Sequence, residues 1–138
     1  MSLFDIGKVC VFSKVNAQLL LDGKPISGVT VTRTWNWDKR ASDSTVTDMN
    51  GYFSFPAVHQ RSVKPLLPLE ITITQQLSTT HNGKEYILWR GAKRDSEEQS
   101  ELDGAPFNLT CELTNEERLI DTYRSPILTL CHIKEDLP

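Results

Sequence analysis

Apolar residues recur at every second position over much of this chain, and β-branched residues are common within those runs. Helical three-to-four spacing hardly occurs, so the chain reads as mostly strand. The first clear strand is residues 16–21, closed by Asp22-Gly23-Lys24-Pro25, where Asp-Gly and Pro supply turn geometry. From Gly28 onward, Val29, Val31, Arg33 and Trp35 share one face and three threonines take the other. Residues 36–43 are polar and charged and read as a loop or hairpin end, followed by a short strand over 44–48. Asn50-Gly51 turns the chain into Tyr52-Phe53-Ser54-Phe55, with Phe53 and Phe55 on one side and Pro56 stopping the ladder.

Alternation resumes over 69–74, and Asn82-Gly83 predicts a hairpin into residues 84–90. Residues 91–104 form a long charged connection. Phe107, Leu109, Cys111 and Leu113 then face inward from the next strand. Thr114-x-x-Glu117 fits a capping box and predicts the chain's one helix over 115–123, ended by Ser125-Pro126. Residues 126–133 read either as a last edge strand or as a cover. About seven short strands with turn signals between them predict an all-β fold, a two-sheet antiparallel sandwich with one short helix near the C-terminus. A barrel is the alternative. Val29, Val31, Phe53, Phe55, Ile71, Ile73, Leu109 and Cys111 are the expected core. The 138 residues suit a single domain, with a core module over 16–75 and an added hairpin, acidic connection, strand and helix over 76–138.

The run from Asn16 to Phe55 resembles the carboxypeptidase-regulatory-like and transthyretin-like (prealbumin-like) sandwich modules of bacteria. The resemblance rests on the turn Asp22-Gly23-Lys24-Pro25-Ile26-Ser27-Gly28, the strand Val29 to Thr34, and Thr47-Asp48-Met49-Asn50-Gly51-Tyr52-Phe53. Over its whole length the chain is similar to a family of small bacterial proteins carrying this module and a downstream strand like Leu109-Thr110-Cys111-Glu112-Leu113. Such a likeness implies a fold and leaves function open. Hydroxyisourate hydrolase resembles this architecture and uses His and Arg with a C-terminal Tyr-Arg-Gly-Ser. Here Tyr123-Arg124-Ser125-Pro126 lacks the glycine, and no histidine occupies the first strand.

Composition narrows the function classes. Hydrophobic residues at 38% and charged residues at 24% suit a soluble globule, and net −3 gives no general pull toward nucleic acid or anionic lipid. No signal peptide or spanning run is evident, so the cytoplasm is the expected location. Cys10, Cys111 and Cys131, odd in number and widely spaced, are expected to be buried free thiols without a bridge. His59, His81 and His132 are too scattered for a metal motif, and no nucleophile elbow or phosphate loop occurs. No cofactor, metal or catalytic set is expected, and the chain reads as a non-enzyme.

Charge is placed unevenly. Residues 1–69 carry eight basic and five acidic side chains, residues 70–138 seven and thirteen, and residues 95–121 hold nine acids against the single base Arg118. The stretch is either a solvated face or an acidic patch gripping a basic partner. On the second reading the partner-binding residues are Glu97, Glu98, Glu101, Asp103, Glu116 and Glu117. They are joined by Trp37 and Arg40 at an expected loop tip, where an aromatic beside arginine has hot-spot composition. The sequence thus points first to a protein-binding immunity protein that neutralises a basic, nuclease-like bacterial toxin encoded nearby. The alternative is a carbohydrate- or surface-binding accessory module.

Overall fold

Two Asx-Gly turns set the hairpins that the sequence marks. Asp22 and Gly23 have φ of 53° and 78°, and Asn82 and Gly83 have 51° and 76°. Positive φ at both central residues gives a turn whose twist matches that of the strands it joins. In the computed structural model, which describes residues 8–61 and 71–134, these turns join β2 (Val15–Leu21) to β3 (Lys24–Pro25) and β8 (Ile73–His81) to β9 (Lys84–Lys93). Gly51 is required for closer packing, since a Cβ there would lie 2.5 Å from the Leu19 carbonyl oxygen.

The described residues form an all-β protein of thirteen strands in three sheets, where about seven strands were expected. A small sheet pairs β1 (Lys8–Phe12) with β7 (Val58–Arg61). A five-stranded sheet has β2 at its centre, flanked on one side by β3 and β6 (Tyr52–Phe55). On the other side lie β10 (Phe107–Glu112) and then β13 (Cys131–Ile133). The third sheet runs β11 (Arg118–Ile120), β12 (Ile127–Thr129), β9, β8, β4 (Thr30–Trp37), β5 (Lys39–Val46). Residues 126–133 therefore divide between two sheets, β12 in one and β13 in the other.

Three further expectations are corrected. Pairing is not antiparallel throughout, because β2 and β10 run parallel, with Phe107 opposite Val15 and Glu112 opposite Leu20. A contact ahead of both strands accompanies this pairing. The Ser13 amide and hydroxyl donate to the buried Glu101 carboxylate at 2.9 and 2.6 Å, which brings the start of β10 beside the start of β2. The helix over 115–123 does not form: the Thr114 amide and hydroxyl both donate to the Glu112 carboxylate at 3.0 Å instead of capping a helix, and residues 118–120 become β11. Of the two readings of residues 36–43, the loop is overturned and the hairpin end holds, since β4 and β5 stay in register as far as Trp37 opposite Lys39 and turn at Asp38.

Alternate residues of both larger sheets meet in one core. Val31, Trp35, Phe53, Phe55, Ile73, Trp89, Leu109 and Cys111 are buried, with Val29 and Ile71 packed at its margin. Arg33 shares that inward face and is wholly buried. Its guanidinium donates to both Asp43 carboxylate oxygens at 2.9 and 2.6 Å and to the Pro56 carbonyl at 2.7 Å, and it lies over the Phe12, Trp35 and Phe55 rings. The expectation of three free thiols is also corrected. Cys111 and Cys131, directly opposite on β10 and β13, form a disulfide across a Cα separation of 4.1 Å, and Cys10 alone stays a buried free thiol. The spacing of 20 residues in sequence gave no hint of this, because only the sheet register brings the two together.

Candidate functional site

The outer face of the six-stranded sheet is built by the period of the strands. On β4 the side chains opposite buried Val31, Arg33 and Trp35 are Thr30, Thr32, Thr34 and Asn36. Register carries this polar set sideways. Thr32 stands between Ser44 on β5 and Ser78 on β8, Thr34 between Ser42 and Gln76, and Asn36 between Arg40 and Thr74. Gln76 in turn lies opposite Arg90 on β9, and Arg90 opposite Leu128 on β12. Among the described residues, the side chains of Thr32, Thr34, Asn36, Ser42, Gln76 and Ser78 make no hydrogen bond within the protein. The face is therefore a field of unspent donors and acceptors.

Two adjoining depressions mark it. One, of about 230 Å³, is lined by Thr34, Asn36, Arg40, Thr74, Gln76 and Arg90 among others. The other, of about 490 Å³, is lined by Thr30, Thr32, Ser42, Ser78 and Glu85 among others. Thr34, Arg40 and Gln76 border both, so the two form one trough across β5, β4, β8 and β9. Arg90 is held by Glu117, whose carboxylate accepts from Nε and Nη2 at 2.8–3.3 Å. Arg40, exposed on β5, has no ion pair among the described residues.

The residues expected to bind a partner disperse. Arg40 alone lies in the trough. Trp37 is not an exposed tip but a core residue, 5% exposed, because β4 continues through it on the inward register. Glu101 is 6% exposed and bound by Ser13 and by the Gln75 amide at 3.0 Å, so it fastens the connection rather than facing solvent. A buried carboxylate is tolerable only when paired in this way. Glu117 is occupied by Arg90, and Asp103 accepts from the Arg124 amide at 3.3 Å. Glu97 and Glu98, on the connection after β9, and Glu116, in the turn before β11, are exposed. Sequence reasoning missed the trough residues, although the threonines of β4 were already on one face. The signal that could have found them is the repetition of Ser, Thr and Gln at alternate positions of residues 72–80.

Neither remaining buried group is poised for chemistry. Burial pushes the Cys10 thiol above its ordinary value, only partly offset by the nearby Lys93 ammonium, so it stays protonated. Lys93, wholly buried at its side chain, donates to the Glu97 carbonyl and approaches Asp95 at 4.0 Å. No helix among the described residues is long and apolar enough to cross a membrane.

These elements define an all-β protein of several sheets with one broad polar face and a trough across it. The family model described as Domain of unknown function (DUF6795) matches residues 15–116, and the chain belongs to that family. The matched range carries all of β2 to β10, the trough strands β4, β5, β8 and β9 included. The chain matches no curated protein.

Proposed function

We propose that this protein is a non-catalytic binding module and that its outer sheet face takes a carbohydrate. The observation that carries the reading is the trough, two joined depressions bordered by the side chains of Thr32, Thr34, Asn36, Ser42, Gln76 and Ser78, which no protein group among the described residues uses. Sugar hydroxyls donate and accept at once, and Thr, Ser, Asn and Gln side chains answer them in kind, whereas a field of charges would select ions. The Cys111–Cys131 bridge adds support, because structural disulfides persist in oxidising compartments, which favours that setting over the cytoplasm expected from the sequence. We read the two larger sheets as the halves of a sandwich of the transthyretin-like and carboxypeptidase-regulatory-like kind, supported by the single core to which both contribute. The test is affinity electrophoresis through soluble polysaccharides. Retardation that Thr34→Val with Gln76→Ala abolishes, at unchanged melting temperature, is expected. Free migration through neutral, uronic and sulfated polymers alike would overturn the reading.

A second reading is the immunity protein for a basic, nuclease-like toxin. It is favoured by Glu97, Glu98 and Glu116, which are exposed on two connections. Co-expression with the product of a neighbouring gene tests it: full protection by a variant with all three changed to Lys would remove the acidic face from the mechanism.

A further inference from the structure

Resting on the carbohydrate reading, the geometry points to a subsite for an acidic sugar beside Arg40 in the trough. We infer that the 230 Å³ depression selects a sugar unit bearing a carboxylate or sulfate over its neutral counterpart. Most of the face is uncharged, yet this depression is bordered by two guanidinium groups, Arg40 from β5 and Arg90 from β9. Their strands are three spacings apart in the sheet, roughly 14 Å at about 4.8 Å each, and both residues border this one depression.

The two differ in their partners. Glu117 takes Nε and Nη2 of Arg90, which compensates its charge and leaves Nη1 without a hydrogen bond among the described residues. Arg40 has no such counter-charge among the described residues, and its fork matches the two oxygens of an anionic group. An exposed cation without an ion pair, beside a charge-compensated second guanidinium in a depression whose other lining residues are uncharged, is charge complementarity for a single anion. It is not a patch for a polyelectrolyte. Asn36, Thr34 and Gln76 border the same depression and supply neutral partners for the ring hydroxyls.

The experiment is calorimetric titration of the full chain with three hexasaccharides: a neutral one, one of uronic acids and one sulfated. One charge-assisted contact predicts a preference of about tenfold for an acidic over a neutral oligomer at low salt, shrinking as salt rises. The uronic and sulfated arms identify which anion is favoured. Arg40→Gln, an exposed change with the melting temperature as control, is expected to bring the ratio of acidic to neutral affinities to about one. Binding of neutral and acidic oligomers with equal affinity, or a preference that survives Arg40→Gln, overturns the acidic subsite while leaving the carbohydrate reading in place. Binding of none of the three overturns both, and protein partners then become the object of the search.

Discussion

Arg33 concentrates the conflict between burial and charge. A guanidinium without water contact is tolerable here because Asp43, the Pro56 carbonyl and three aromatic rings surround it. Removing one partner of such a pair is worse than removing the charge itself. Asp43→Ala should cost about 3 kcal/mol, the low end for a buried pair because Asp43 is 36% exposed, whereas Arg33→Met should cost less by keeping bulk against the rings. Denaturant unfolding checks the order, and equal losses would show that the pair contributes only packing. Glu112 supplies a pH dependence. Partial burial acts to raise its carboxyl, but hydrogen bonds from Thr114, Gly23 and Asp22 outweigh it and hold the group below its ordinary value of 4.5. A depressed folded value means stability that is present above the unfolded value and lost as pH falls through the folded one. As pH falls from neutral through 4.5 and below it, the stability gap between the parent and Glu112→Gln should therefore close. A gap of constant size would remove Glu112 from the acid limb.

β13 shows how far a strand can depend on partners remote in sequence. Three residues have little preference of their own, but Cys131 stands opposite Cys111, and their bridge ties the end of the chain to β10. Closing a loop of this length contributes about 3 kcal/mol on the chain-entropy account. Alkylation of unfolded, unreduced protein should modify one site, Cys10, and reduction should raise that to three while lowering the melting temperature. Three sites before reduction would show that the bridge does not form. The strands with strict alternation, β4, β6 and β10, were legible because their period is local, and so were the Asx-Gly turns. The strand expected over 69–74 is β8 over Ile73–His81 instead, its inward Gln75 and Thr79 hiding the apolar period, and residues 69–70 lie outside the described residues. β11 was not legible. Its Thr114-x-x-Glu117 pattern is a valid helix start, yet Glu112 captures the Thr114 hydroxyl and Leu119 pairs opposite Leu128, two partners that local spacing cannot reveal. The trough was half legible for the same reason: each strand shows its polar face, but only register aligns Thr34, Gln76 and Ser42.

Long-range pairings decide whether the chain divides. Residues 16–75 resemble a complete module in sequence, but their strands are finished by later ones: β2 pairs with β10, β4 with β8, and Glu101 binds Ser13. The residues after the family-matched range are equally engaged. β12 covers the edge of β9, its Ile127 and the following Leu130 are buried in the common core, and Cys131 holds the disulfide. A chain ending at Glu116 would therefore expose the β9 edge, open a cavity beside Trp89 and leave Cys111 unpaired. Losing three buried side chains costs several kcal/mol by cavity formation and lost burial, comparable to the whole stability of a domain this size. That chain is expected to lose the cooperative melting transition, to bind a hydrophobic dye, and to lose the near-ultraviolet dichroism of its buried tryptophans. A truncated chain that melts cooperatively within a few degrees of the parent would show that residues 1–116 fold alone, and that β12 and β13 only decorate a finished core.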